Sequence, residues 1–514
     1  MSTRREVLAA GLALPVYQTG DFGVKPDGAT MNTEGLQRAI DKAAADGGGT
    51  VYLGPGNYLS GAISLRSNVT LYLEAGATIH GSGKRQDYSQ SCLIYARDAA
   101  NAAIRGRGTI DGNGPAFWKR EGGRWQIGGW RPGLAQFVRC ENLLLEDITF
   151  RNSPSWTIHP IDCDRVTIRG ISIVNGLTPD DHGPNTDGID PDGCTRVRIS
   201  DCYIQSGDDS IVLKITRRNG GSQVCRDITV TNCVLVTRES ALKIGSETYG
   251  EFRNITFSNC AVRDAGCGVG LWMRDGGLID GWTVNNISMT LTDGGQPIYM
   301  TSYPRSRLSE PGTRREEERP PGIVRNVMIS NVTATADGCI FLSGMEEKPL
   351  EGIVLENIRI RMRGGREKKL HAEPPYPFPL WGHRQSPYDV YCRHVNDLKL
   401  RNIAITWEEP EKPEWNSAMR CVNVGRLKVT DFAGRQTQGS QAPAILLHDT
   451  RSAYIHDCWP PVRTGVFLGL EGGTRDVTLM NNNLNSVRKV ASLAAGVDGT
   501  ELTESGNRMP GEVR

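Results

Sequence analysis

The chain has 514 residues, and 59 Lys and Arg against 58 Asp and Glu leave a formal net charge of +1. That balance gives no electrostatic reason to expect nucleic acid or an anionic membrane as partner, and no apolar run reaches the ~18 residues of a spanning helix. With 60 glycines and 7% aromatic residues, the composition favours many short strands and tight turns over long helices.

At the start, Thr3-Arg4-Arg5-Glu6-Val7-Leu8 followed by AAGLALPV has the basic beginning and short apolar segment of a twin-arginine export signal. Residues 1–19 are therefore expected to be a leader or a disordered N-terminus, with the protein exported to the periplasm or beyond. No A-x-A cleavage site follows. Residues 20–505 are expected to form one domain. Asp21 to Thr30 reads as turns. Leu36, Ile40 and Ala43 or Ala44 then fall at helical spacing, with Asn32 as N-cap and Gly47 as stop. One short helix ahead of a long β series reads as the cap on a solenoid's end.

Strands begin at Val51-Tyr52-Leu53 and Ile63 to Leu65, and one pattern then recurs. Copies include NVTLYLEAGATI (68–79), NLLLEDITFRN (142–152), RVRISDCYIQSG (196–207), NITFSNCAVRD (254–264) and DLKLRNIAITW (397–407). Each is two brief alternating strands joined by a polar residue or two, often Asn, and successive starts lie about 22 to 45 residues apart. No helical pattern separates the strands. A sandwich would need hairpin turns and a propeller its blade signatures, and neither is present. The expected fold is all-β, a right-handed parallel β-helix with a short N-terminal capping helix. The 13 cysteines lie mostly alone within strand patterns and form no C-x-x-C pair, which reads as small buried core residues, not zinc or redox chemistry, with one or two disulfides as the alternative in an oxidising compartment. Two Pro-rich, charged stretches, 301–322 and 367–389, read as long loops. Their Tyr303, Arg305, Tyr376, Trp381 and His383 either wall a sugar-binding groove or pack along the outside.

The chemistry concentrates between Asn185 and Lys214. Asp187 follows Asn185-Thr186, and Asp208-Asp209 follow Gly207 one repeat later. On stacked coils such clusters fall on neighbouring strands, roughly 4.7–4.9 Å apart. Carboxylates that close cannot all ionise freely, which keeps a general acid protonated beside a general base. Asp190, Asp192 and Asp201 read as turn residues.

NTDG (185–188) and GDD (207–209), with RGRGTIDGNG (105–114) and NSPSWTIHP (152–160), resemble the polygalacturonases of glycoside hydrolase family 28, from Asp21 to about residue 435. The resemblance implies inverting, metal-independent hydrolysis of a pectic, galacturonic-acid-containing polysaccharide, with no cofactor. It makes Asp208 the acid that protonates the glycosidic oxygen. Asp187 and Asp209 become the pair that holds and deprotonates the attacking water. Asn185 joins the substrate-binding set; His159, alternating with apolar residues in Ser155 to Pro160, either lines the same groove or is a hydrogen-bonded structural histidine, while His182 has no assigned role.

There are two departures. The family's Gly-His-Gly is Glu239-Ser240-Ala241 here, and its Arg-Ile-Lys is Trp272-Met273-Arg274. Lys243 and Arg274 are expected to supply the lost charge to a substrate carboxylate, and Trp272 to stack on a sugar face. These changes make rhamnogalacturonan or a decorated pectin credible beside homogalacturonan. A calcium-dependent lyase on the same architecture competes, marked by unsaturated product and chelator sensitivity. So does a non-catalytic carbohydrate-binding β-helix, which the missing His and Arg favour. The chain is expected to act as a monomer on a polysaccharide, without metal, nucleic acid or membrane span.

Overall fold

The computed structural model describes residues 15–176, 181–218, 221–307, 319–364, 370–373 and 386–509. Residues 1–14 of the proposed leader, with Tyr376, Trp381 and His383, lie outside the described residues; Val16–Gln18, expected to belong to that leader or a disordered start, is instead a strand paired in parallel with Thr50–Tyr52. By its contacts the chain divides into two compact units. The first runs to Asp190 and includes Cys194–Tyr203; the second comprises Pro191–Gly193 and everything from Ile204.

In the first unit the helix Thr33–Ala45 turns Leu36, Ala39, Ile40 and Ala43 fully inward, against the strands Gly49–Leu53, Ile63–Ser64 and Val69–Leu73. Gly47 follows it with φ +93°. Asn32 stands at the N-cap position, yet its side chain does not cap the helix. Its Oδ1 accepts from the Lys25 amide at 2.8 Å, and its Nδ2 donates to the Lys25 and Thr30 carbonyls. It closes the preceding loop instead. That stretch, read as turns, also contains the strand Asp27–Met31, which pairs in parallel with Gly56–Ser60. DGATM has no alternating apolar face; its neighbour supplies the pairing that makes it a strand.

Parallel register then carries one apolar column through the unit: Val51, Leu71, Ile104, Leu145, Ile168 and Ile199. All six are completely buried, and each contributes roughly 1.5–3 kcal/mol by leaving water. A second parallel sheet of the same unit stacks Ile63–Ser64, Cys92–Arg97, Gly133–Val138 and Ile158–Ile161.

The second unit repeats the device over a longer run. Ile255, Trp282, Val327, Ile353, Leu398, Leu427, Ala453 and Val477 occupy successive register positions, and none is more than 2% exposed. Strands here continue through the bends, as in Glu251–Met273 and Leu278–Ser302. The bends explain the Asn and Asp of the repeats. Asn259, Asn286, Asn331, Asn357 and Asn402 all have φ between +49° and +57°, a conformation these side chains tolerate better than most. Each of the last four donates its Nδ2 to the Oδ1 of the asparagine one coil before, at 2.9–3.1 Å.

All thirteen cysteines are buried and free, as the core reading expects. In the first unit they form a ladder at one bend, where the Cys163 thiol accepts from the Cys140 amide and the Cys194 thiol from the Cys163 amide.

Candidate active site

In the first unit the segment carrying Asp187 lies beside the strand Ile158–Ile161. The Thr157 amide donates to the Asp187 carbonyl and the Ile158 amide to the Gly188 carbonyl, both at 3.0 Å, and Ile158 bridges Ile189 in parallel. Asn175, fully buried, fixes the segment from within. Its Oδ1 accepts from the Ser153 amide (2.9 Å), and its Nδ2 donates to Thr157 Oγ1 (2.7 Å) and the Thr186 carbonyl (3.2 Å). Arg131 holds it from the other side, donating to Asn185 Oδ1 at 2.7 Å and to the Pro154 and Pro184 carbonyls. Asn185 itself sits at φ +51°. Gly183 is required by packing: a Cβ there would lie 1.9 Å from Cζ2 of Trp118. The result is an Asp187 side chain only 3% exposed. His159 is half-buried, with its ring edge-on to Trp156 at 4.8 Å and Nδ1 3.4 Å from Gln136 Nε2. His182 Nδ1 lies 3.2 Å from the Gly183 carbonyl.

In the second unit Asp208 and Asp209 occupy a turn ahead of the strand Ile211–Ile215. The Ser206 and Thr237 hydroxyls both donate to the Asp208 carbonyl, and the Asp209 amide donates to Asp208 Oδ1 at 2.9 Å. The two neighbours then differ. Asp208 is half-buried. Asp209 is 3% exposed, with Oδ1 accepting from the Ser240 amide (3.2 Å) and Oδ2 from Lys243 Nζ (2.7 Å). Ser240, standing where the resemblance expects histidine, therefore meets Asp209 through its main chain.

Lys243 leaves the strand Ser240–Thr248 on the side opposite the buried Leu242 and Ile244, by strand alternation. Its ammonium lies 4.8 Å from the centre of the Trp272 ring. Trp272 reaches that place because Gly270, the register partner of Lys243, has no side chain: a Cβ would lie 2.1 Å from Trp272 Cζ3. The other side of Trp272 meets Tyr299, centroids 4.7 Å apart. Sequence reading missed Gly270, Arg131 and Asn175. Arg131 and Asn175 act through partners distant in sequence, which no local spacing signals; Gly270 lies two residues from the Trp272 it accommodates, but the fold of that ring back over it is not written in the spacing.

Arg274 is a correction. It was expected to meet a substrate carboxylate, but it is fully buried, directing Nη1 toward the Met273 and Thr301 carbonyls. The strand ends at Met273, so alternation from Trp272 no longer predicts where Arg274 points. Burial pulls its guanidinium below the usual pKa. Arg305 is committed too, forming a two-pronged pair with the buried Asp275 at 2.9 and 3.1 Å, and Tyr303 is buried with its hydroxyl 2.9 Å from Ser343 Oγ. Both fit the packing alternative better than an open groove wall. Asp192, read as a turn residue, instead accepts from the Thr216 amide and hydroxyl and from Arg218. Glu247 adds an unforeseen carboxylate. Burial pushes its pKa up, but Lys214, Lys243 and Arg305 together bring it below its ordinary value.

The sequence model of glycosyl hydrolases family 28 matches residues 50–374. A protein named "Probable polygalacturonase" from Vitis vinifera is 29% identical over 68% of this chain and 74% of its own length. An endo-polygalacturonase of Pectobacterium carotovorum subsp. carotovorum is 25% identical over 66% and 86%. Among solved structures, the exopolygalacturonase of Thermotoga maritima superposes with a TM-score of 0.61, at 24% identity over 78% of this chain and 95% of that one. The polygalacturonase from Erwinia carotovora ssp. carotovora gives 0.53, at 21% identity over 68% and 93%. With these likenesses the fold class is a right-handed parallel β-helix.

Proposed function

The chain belongs to glycosyl hydrolases family 28 and is a glycoside hydrolase, and from that premise we propose that it cleaves a pectic polygalacturonan by inverting, metal-independent hydrolysis. Asp208 protonates the leaving glycosidic oxygen, while Asp187 and Asp209 hold and deprotonate the attacking water. The observation that carries this is the unlike treatment of two adjacent carboxylates. Asp209 is buried with both oxygens held by donors, one of them an ammonium. Asp208 is half-buried, and its Oδ1 accepts from the amide of its neighbour. Family membership and the NTDG–GDD spacing support the assignment of the third acid, Asp187. We propose further that the protein is exported and acts as a monomer; the basic, apolar N-terminal sequence supports the first of these.

The test is release of reducing ends from polygalacturonate, rhamnogalacturonan and neutral glucans, with a chelator present, for the wild type beside Asp208→Asn. Activity on a pectic substrate is expected to fall about 100- to 10,000-fold in the variant, with an unchanged melting temperature. Proton NMR of the first product is expected to show the inverted anomer. An active Asp208→Asn, an unsaturated product or loss of activity to the chelator would each overturn the proposal.

A further inference from the structure

Lys243 is a cation in a place where the resemblance expected only a source of charge for the substrate, and the structure gives it another partner. We propose that Lys243 is a positioning residue for Asp209: its ammonium holds Oδ2 while the Ser240 amide holds Oδ1, fixing the carboxylate's plane and reach. The inference rests on Asp209 being part of the base pair, as proposed above.

Four observations in the second unit carry it. The Nζ–Oδ2 distance is 2.7 Å, with the two side chains 11% and 5% exposed, so the pair is made away from bulk water, where such a contact is strongest. The ammonium is roofed by Trp272 at 4.8 Å, a position that depends on Gly270 in the adjoining strand. A buried ammonium without a counter-charge is costly, and Lys243 shows the balance. Burial works against its charge, but the charge and hydrogen bond of Asp209, helped by Asp208 and opposed by Lys214, leave its pKa above the ordinary value. Finally, the nearby Arg305 guanidinium is committed to Asp275, and Glu247 is balanced by Lys214, Lys243 and Arg305 together. An ammonium built into its own enzyme's carboxylate in this way is organised to aim that carboxylate.

A positioning role and a substrate-carboxylate role differ in what they change. Misaiming the base raises the barrier without weakening binding, whereas losing a substrate contact of equal strength in ground and transition states raises KM. Lys243→Met keeps the aliphatic stem and deletes the ammonium. It is expected to lower kcat about 100-fold on polygalacturonate, with KM within about 3-fold and the same loss on a partly methyl-esterified pectin. In an Asp209→Asn background the substitution is expected to cost less than about 3-fold, because the group it aims is already gone. Lys243→Arg, which keeps a cation, is expected to recover at least about 10-fold of the loss. A raised KM with kcat preserved, a loss confined to the unesterified substrate, or an undiminished loss in the Asp209→Asn background would overturn it. Should Lys243→Met fail to fold, Lys243→Arg decides: a change mainly in kcat supports the proposal and one mainly in KM overturns it. Asp209→Asn alone separates the two levels. If that variant stays active, the assignment of the base fails, not the aiming of it.

Discussion

Asp389 shows at the scale of one residue how far burial can move a carboxyl group. It is 2% exposed, and among the described residues its Oδ2 accepts a long bond, 3.4 Å, from the Trp407 indole. Burial first, then the charge of Glu411, hold its pKa well above the ordinary value, against the Trp407 bond and Arg435. The folded state therefore keeps a proton that the unfolded chain releases near pH 3.9, about the usual Asp pKa. The raised pKa makes stability greatest below that value and lowers it as pH rises toward the folded-state pKa. Asp389→Asn mimics the neutral acid and removes this dependence. Scanning fluorimetry is expected to give the variant a melting temperature close to the wild type at pH 4 and above it at pH 7. Parallel curves at both pH values would mean that Asp389 is charged when folded. The sequence carries no sign of this, since Ser386-Pro387-Tyr388-Asp389 reads as an ordinary turn.

At the scale of the element, the bends matter as much as the strands. Asn331 combines a left-handed backbone, φ +55°, with a hydrogen bond to the asparagine on either side of it. Asn331→Ala forces alanine into that conformation, at about 1–2 kcal/mol, and loses two exposed bonds of roughly 0.5–1.5 kcal/mol each. Asn331→Gly loses the bonds but fits the backbone. The expected order of urea midpoints is wild type above Gly above Ala, and a Gly variant no better than Ala would show that the ladder, not the backbone, dominates. This element was legible early. A polar residue, usually Asn or Asp, between two short alternating strands is what a chain needs to turn sharply without burying an unpaired amide. What was not legible is that the side chains of successive coils bond to one another, because register is a tertiary fact.

At the scale of the whole molecule, a stack of parallel coils has open ends, and an open end is a template for further pairing. The helix Thr33–Ala45 covers one end region in the first unit with Leu36, Ala39, Ile40 and Ala43. Leu36→Glu places a charge where the helix meets the strands. The expected outcome is concentration-dependent aggregation on size-exclusion chromatography, together with loss of the helix's protection from hydrogen exchange. A monodisperse variant with a native exchange pattern would show that the helix is dispensable as a cap.

By itself the sequence determined the class of fold, the capping helix, the buried cysteines and the two motifs that bear the three acids. These depend on period, composition and turn chemistry, which act over a few residues and so leave a local trace. Tertiary structure alone decided the partners. It sent Arg274 into the interior past the end of its strand, drew Asn32 away from the helix it precedes, made a strand of Asp27–Met31, and set Lys243 on Asp209 beneath Trp272. Each of those outcomes turns on which residue of a neighbouring coil lies alongside. Neighbouring coils are brought together by burial of a shared apolar column, and no stretch of one coil contains that information.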